Sequence, residues 1–324
     1  MKRRMFAAAL GAGLAAPTQA IAQTKGVARI GWLSFARADS YLGAYDAFRL
    51  GLSELGYAEG RNVTIEAHWG DDSRERMNAQ AAELARARPD VVVAQGPAVF
   101  ALKSAGSTLP TVFAFSGDPV EAGLVDSLAR PGRNMTGLTQ LSVELVGKRM
   151  EMLKQALPQL RRVAVIANTA HAGEQVELRA SRSAAEAMGL TLEYLPIRGP
   201  AELASALDAA LRARCEAIVV FPDAGMMRYS ERVAAFANEH RMPAISGWSE
   251  FARRGNLLSY GPNASAVFKR LAYFVDRLLK GARPQDLPVE LPTVVEFVIN
   301  LSAARRLGVS IPQSLLLRAD EVMP

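Results

Sequence analysis

Residues that could bind a small charged molecule stand at or close to the ends of predicted strands in both halves of the chain. They combine hydroxyls, amides, glycine, two carboxylates and aromatic rings. In open parallel sheets, ligands bind outside the carboxyl ends of the strands, where loops and helix N-termini converge. We therefore predict ligand contact for Ser34, Phe35, Gln95, Gly96, Ser116, Asp118, Asn168, Thr169, Asp223, Ser246, Trp248 and Tyr260.

The polar members of this set suit a ligand with an ammonium and an anionic group. Asp118 and Asp223 could each pair with an ammonium, while helix N-termini after Ser34 and Gly96 would offer N–H groups to a carboxylate. Each aspartate has an alternative role. Asp118 could form a turn with the following proline, and Asp223 could cap the next helix.

The aromatic members could provide apolar or stacking faces for a ligand. Phe35, Trp248 and Tyr260 each lie next to a predicted strand end or hinge segment. Their rings could equally belong to the hydrophobic core, which is the main alternative for Trp248.

The sequence lacks the motifs of common catalytic sites. It has neither a Gly-x-Ser-x-Gly nucleophile elbow nor a phosphate-binding Gly-x-x-x-x-Gly-Lys-Ser/Thr loop. The histidines His68, His171 and His240 are far apart, although His171 follows a predicted strand and could touch a ligand. The single cysteine, Cys215, suits a small buried position. We expect neither an enzyme nor a bound cofactor or metal.

Short β-rich runs and amphipathic segments alternate along the chain and must position these residues. In the first half, the pattern predicts strands at 27–34, 62–68, 91–94 and 111–115, with helices at 41–56, 73–87 and from residue 97. In the second half it predicts strands at 162–167, 190–197, 217–221 and 243–246, with helices at 143–157, 174–188, 201–213 and 227–240. A strand at 257–260, a helix at 264–280, a linker at 281–292 and a strand at 294–300 follow.

This alternation predicts an α/β protein of two Rossmann-like lobes with parallel sheets. We expect the first lobe to comprise residues 27–138 and about 248–285, and the second to comprise 139–247 and about 286–324. The chain would first pass between lobes near 135–140. Such returns imply several linking strands, which form a hinge beside a cleft.

The N-terminus has the features of a secretory signal peptide over residues 1–22. Lys2, Arg3 and Arg4 precede a short apolar run, and an Ala-x-Ala pattern predicts cleavage after Ala22. Removing the three basic residues lowers the formal net charge from +6 to +3. We therefore expect no nucleic-acid partner, and we expect no membrane insertion because no other segment has about 20 uncharged apolar residues.

Three stretches resemble one protein family. They are FSGDPVEAGLVDSLARPGRNMTGL at 115–138, RGNLLSYGP at 254–262, and FVINLSAARRLGVSIP at 297–312 with RADEV at 318–322. Together they resemble the periplasmic substrate-binding proteins of ABC transporters, whose better-known members are associated with aromatic amino acids. The resemblance implies the type I periplasmic binding protein fold, a multi-strand hinge and no catalysis.

The function implied by this resemblance is capture of a small molecule between the lobes. The ligand would be an amino acid, aromatic in the family-based interpretation, which a periplasmic monomer delivers to an ABC permease and ATPase complex. A ligand-sensing subunit of a membrane receptor system is the alternative, because the cleft would be the same. We do not expect a secreted enzyme, because the sequence shows no nucleophile, base and orienting group that would form a catalytic site. We do not expect a transcription regulator of the same fold either, because it would need a DNA-binding segment where the signal peptide stands.

Overall fold

The computed structural model describes residues 26–38, 42–140 and 143–324 of the 324-residue chain. The signal peptide expected at residues 1–22, with cleavage after Ala22, lies outside the described residues. Every residue for which we predict ligand contact lies within them.

The first sheet contains five parallel strands. They are β1 (Ala28–Ser34), β2 (Val63–Trp69), β3 (Val91–Gln95), β4 (Thr111–Phe115) and β5 (Met135–Thr139). Their order is β2-β1-β3-β4-β5, and the connecting helices are α1 (Leu42–Glu54), α2 (Arg74–Ala87) and α3 (Ala98–Ser104). Because β3 and β4 are buried along their whole length, their apolar sequences suit strands covered on both faces.

The second sheet contains seven strands. They are β6 (Arg162–Asn168), β7 (Thr191–Ile197), β8 (Ala217–Val220), β9 (Ala244–Ser246), β10 (Leu258–Pro262), β11 (Val295–Asn300) and β12 (Glu321–Met323). Their order is β12-β11-β10-β9-β8-β6-β7, and the β10–β11 pair is antiparallel, unlike the parallel pairs around it. The remaining helices are α4 (Val143–Ala156), α5 (Glu174–Ala187), α6 (Pro200–Arg212), α7 (Ala224–Met227), α8 (Ser230–His240), α9 (Ser249–Arg253), α10 (Ala264–Leu279), α11 (Leu301–Leu307) and α12 (Gln313–Leu316).

Helices cover both faces of each sheet, which gives each lobe its own core. In the first lobe, α1 and α10 pack together on one face around Phe48 and Phe268, while α2 and α3 cover the other face around Met77 and Leu102. In the second lobe, α4, α5 and α11 cover one face, and α6 to α9 cover the other. Burying one Phe or Leu side chain contributes about 1.5–3 kcal/mol, so these faces fix the strand ends that form the site.

The chain passes between the sheets at three places in the described elements. These are the connection from β5 to α4, Asn263 between β10 and α10, and residues 291–294 before β11. The second and third passages are hydrogen-bonded to each other: Asn263 N–H donates to Val294 O at 3.0 Å, and its Nδ2 donates to Glu296 Oε2 at 2.8 Å. Adjacent passages of this kind form a hinge.

The sheet pairing places some segments differently from the sequence-based boundaries. Residues 248–262, expected in the first lobe, lie in the second, because β10 completes its backbone hydrogen bonds with β9 and β11. The segment at 286–290, expected in the second lobe, lies on the first, where Glu290 bridges to Leu138 and Val289 joins the core. Of the passage between lobes expected near 135–140, residues 135–139 form β5 of the first sheet, so the chain leaves the first lobe after them. These segments depend on partners far away in sequence.

Candidate functional site

A cleft of about 340 Å³ lies between the carboxyl edges of the two sheets. This volume is in the range of small-molecule sites in proteins. The first lobe contributes the start of α2, the start and outer face of α3, and the end of β4. The second lobe contributes the loops after β6 and β8. The lining residues are Arg74, Met77, Asn78, Gly96, Pro97, Phe100, Ala101, Ser104, Phe115, Ser116, Asn168, Ala170, His171, Ala172 and Asp223.

The lobes touch directly at one side of this cleft. Ser116 Oγ and His171 Nε2 are 2.8 Å apart, so a hydrogen bond joins the loop after β4 to the loop after β6. The His171 and Phe115 rings lie 6.4 Å apart. Beside them, a Cβ added to Gly117 would be only 1.8 Å from the carbonyl oxygen of Ala172. The structure is therefore closed over the cleft, with glycine permitting the close approach.

Asp223 has one carboxylate oxygen with protein partners and one without. Oδ1 accepts hydrogen bonds from Gly225 N at 2.6 Å and Met226 N at 3.1 Å, and so caps α7. Oδ2 is buried and has no hydrogen-bond partner among the described residues, although Asn168 lies close enough to favour the charged form. The pKa of Asp223 is raised, because burial disfavours the charge more strongly than the nearby His171 favours it. A ligand ammonium would supply the missing partner.

A buried ion pair lies behind the second-lobe wall. Arg149 Nη1 on α4 donates to Glu177 Oε2 on α5 at 3.2 Å, and the two side chains are only 2% and 1% exposed. Burial raises the pKa of Glu177, and the adjacent Arg149 opposes that shift. Arg149 also packs against the β9 end, since a Cβ on Gly247 would lie 3.3 Å from its guanidinium carbon. The pair thus joins α4, α5 and β9 under the cleft.

The first-lobe wall is mainly apolar. The rings of Phe100 and Phe115 meet edge to face with centroids 5.6 Å apart. Met77 and Ala101 lie beside them, and both are buried. Such a surface can hold an aromatic or other apolar side chain of a ligand. The cleft therefore offers mainly apolar contacts from the first lobe and mainly polar contacts from the second.

Four of the twelve predicted contact residues line the cleft: Gly96, Ser116, Asn168 and Asp223. Gly96 adopts a positive φ of 54° that suits glycine. Its N–H donates to Ala114 O at 2.9 Å, so this amide is not free to bind a ligand. Asp223 does cap the following helix, and it lines the cleft as well.

The other polar members of the set bond within their own lobe. Ser34 Oγ donates to Gln95 Oε1 at 2.7 Å, and both side chains are buried. Ser246 Oγ donates to Val220 O at 2.8 Å. Asp118 Oδ1 accepts from Val120 N at 2.8 Å and Glu121 N at 3.1 Å, which is the turn given above as its alternative role. Thr169 is exposed, and its N–H donates to Ile197 O at 3.0 Å.

The three aromatic members of the set pack inside the lobes and do not line the cleft. Trp248 is 7% exposed in the core of the second lobe. Tyr260 lies edge to face with Phe297 at 6.0 Å, and Phe35 packs against the first-lobe core.

The aromatic wall of the cleft comes instead from Phe100 and Phe115, which the sequence-based set omits. Phe115 is the last residue of β4, and Phe100 lies in the first turn of α3. The start of α2 also contributes Arg74 and Asn78. First turns of helices meet the carboxyl edge of a parallel sheet, so a search that included them would have found these residues.

Two other features of the described residues concern metal binding and membrane-spanning helices. Within the three described ranges, no group of three or more His, Cys, Asp or Glu side chains could hold a metal ion. In the same part of the chain, no helix is both long enough and apolar enough to cross a membrane.

Known proteins resemble this chain over most of its length. A tyrosine-binding protein from Clostridioides difficile (strain R20291) is 24% identical over 259 residues, which are 79% of this chain and 74% of that protein. The structure of a conserved domain protein from Vibrio cholerae matches with a TM-score of 0.85 and 28% identity, covering 91% of this chain and 99% of the other. The ABC domain in complex with L-Trp from Streptococcus pneumonia matches with a TM-score of 0.85, 26% identity and the same coverage.

These structural matches confirm the expected α/β architecture of the type I periplasmic binding protein fold. The sequence pattern of the family described as ABC transporter substrate binding protein matches residues 29–323. The chain therefore belongs to the ABC transporter substrate binding protein family.

Proposed function

We propose that this protein is the periplasmic solute-binding component of an ABC importer and captures an aromatic amino acid in the interlobe cleft. One observation carries the proposal: the cleft combines an unpaired, buried carboxylate oxygen of Asp223 with the apolar wall of Phe100 and Phe115. An aromatic amino acid has an ammonium that can pair with the Asp223 carboxylate and a ring that can pack against Phe100 and Phe115.

Capture follows from the difference between the open and closed forms. In the closed form, one ligand contacts groups of both lobes, whereas an open form offers it one lobe at a time. A ligand that binds the closed form better shifts the population toward it. An ABC permease with its ATPase would then recognise the closed shape, and no cofactor or chemical reaction is needed.

The relatives support an aromatic ligand. One is named for tyrosine binding, and another was solved in complex with L-Trp. The ligand contacts that we propose are the side chains of Ser116, Asn168, Asp223, Phe100 and Phe115, all of which line the cleft. Export through the signal peptide would place the mature chain, a monomer, in the periplasm.

Calorimetric titration tests the ligand directly. The mature protein is unfolded, washed free of bound ligand, refolded and titrated with L-tryptophan, L-tyrosine and L-phenylalanine. We expect one site per chain for at least one of them. At a free concentration of 100 times Kd, the ligand should raise the free energy of unfolding by about 2.7 kcal/mol. Absence of binding by all three would reject the aromatic amino acid.

Fractionation and uptake test location and role. We expect the mature chain in the periplasmic fraction, shortened by the residues before the cleavage point, and slower uptake of the labelled ligand when the gene is deleted. Uptake should return with the wild-type gene and not with Asp223→Asn. Unchanged uptake in the deletion strain would contradict the importer role while leaving ligand binding intact.

A further inference from the structure

Opposite charges line the two walls of the cleft. Among the described lining residues, Arg74 and Asp223 are the only Asp, Glu, Lys or Arg. Arg74 belongs to α2 of the first lobe, and Asp223 precedes α7 of the second. The closed structure therefore brings one positive and one negative group to the same cavity, one from each lobe.

The Arg74 guanidinium has no hydrogen-bonding partner among the described residues. The exposed Arg74 side chain forms no hydrogen bond or ion pair in the described part of the chain and interacts with the adjacent Glu75 only electrostatically, whereas Arg76, in the same turn, pairs with Asp71 at 2.9 Å. A cation in the first turn of a helix also opposes the positive end of the helix dipole. Helix stability thus does not explain Arg74. The guanidinium and the dipole together create a positive potential at the cleft wall, which favours an anionic group.

Asp223 presents the complementary feature on the other wall. The residue is 5% exposed, and Oδ2 remains without a hydrogen-bond partner in the described structure. Oδ1 is occupied by the α7 cap, so the carboxylate is fixed and cannot turn away from the cleft without losing that cap. A cationic group of a ligand is the partner that best compensates a buried carboxylate oxygen.

We propose that Arg74 is a specificity-determining residue that binds the carboxylate of the ligand while Asp223 binds its ammonium. This inference rests on the proposed function, because it takes an amino acid as the ligand. The zwitterion bridges the lobes, so each of its charges satisfies a group that the protein alone leaves unpaired. The cleft then selects free α-amino acids over their amides, which keep the ammonium and lose the negative charge.

A ligand pair that differs in this one charge tests the proposal. Wild type, Arg74→Gln and the matched control Arg76→Gln are titrated calorimetrically with L-tryptophan and L-tryptophanamide, and with L-tyrosine and its amide. The titrations are done at about pH 6, where α-amino groups are protonated. Thermal unfolding of each variant confirms that it is folded, and Arg74→Lys is a second variant that retains the charge.

We expect wild type and Arg76→Gln to prefer the free amino acid over its amide by about tenfold, as for a charge-assisted hydrogen bond. Arg74→Gln should lose most of this preference while binding the amide as wild type does, and Arg74→Lys should keep part of it. A preference in Arg74→Gln equal to that of wild type would overturn the role of Arg74 and leave the proposed function standing. Failure of wild type to bind any of these compounds would overturn both.

Discussion

Replacing Gly117 with alanine should hold the cleft open. Gly117 does not have a positive φ, so its backbone accepts alanine. In the closed structure, however, the new Cβ would lie 1.8 Å from Ala172 O and 2.7 Å from Ala172 C, which belong to the opposite lobe. These are backbone atoms that cannot rotate away. The added Cβ would also lie 2.9 Å from Phe115 Cε1 of its own lobe, which is a ring edge, so the shorter backbone clash with Ala172 acts mainly against closure.

The size of the effect follows from these distances. Ordinary contact begins at 3.4 Å, so the two loops must separate by more than an ångström. The adjacent Ser116–His171 hydrogen bond, now 2.8 Å, would break at such a separation. Overpacking of this kind costs about 1–3 kcal/mol. Ligand affinity coupled to closure should consequently fall by roughly 5- to 150-fold.

Calorimetry and small-angle X-ray scattering together measure this effect. We expect Gly117→Ala to bind the amino acid more weakly and to remain more extended than wild type at the same ligand concentration, with a urea midpoint close to that of wild type in the absence of ligand. Gly147→Ala is the matched control, because its Cβ would meet only Ala184 Cβ at 3.8 Å within the second lobe. Wild-type affinity and a wild-type scattering profile in Gly117→Ala would refute the assignment of this contact to closure.

Three further substitutions address the groups around the cleft. Asp223→Asn should raise the free energy of unfolding of the ligand-free protein at pH 7 and weaken amino acid binding. Burial raises the pKa of Asp223, so in wild type the folded state loses stability as pH rises through that pKa and the carboxyl group becomes charged. Asparagine remains neutral and avoids this loss. In urea denaturation, this gain in stability should disappear below the pH range in which carboxyl groups usually titrate. A variant less stable than wild type at pH 7 would contradict the prediction. Arg149→Met should lower the free energy of unfolding by about 3–5 kcal/mol, since Glu177 is left as an unpaired buried charge; a change below about 1 kcal/mol in urea denaturation would count against that buried pair. His171→Ala should weaken ligand binding by about two- to tenfold through loss of the bond to Ser116, with little change in the urea midpoint, and unchanged calorimetric affinity would show that this bond does not favour closure.

Most individual strands and helices could be predicted from the hydrophobic pattern of short sequence segments. Continuous apolar runs such as 91–94 and amphipathic segments such as 73–87 lie within one or two residues of β3 and α2. The lobe assignment of 248–262 and 286–290 could not be predicted, because β10 and Glu290 are placed by distant partners. Non-local pairing leaves no periodic signal in the sequence.

The site could be predicted where a residue stands at a strand end or within a few residues after it, as with Ser116, Asn168 and Asp223. Ser34 and Gln95 also stand at strand ends, yet they bond to each other, and sequence alone does not show that pairing. Trp248 and Phe100 show the opposite error. Both are aromatic residues near the carboxyl edge, and only the packing of the surrounding helices decides that Trp248 is core and Phe100 faces the cleft.

A crystal structure of the mature protein, grown at saturating concentration of an aromatic amino acid that binds in calorimetry, shows whether the ligand lies between the two lobes. We predict density for one ligand between the lobes, with its ammonium about 2.8 Å from Asp223 Oδ2 and its ring against Phe100 and Phe115. Density for the ligand at another place, with the cleft free of it, would show that the interlobe cleft is not the binding site.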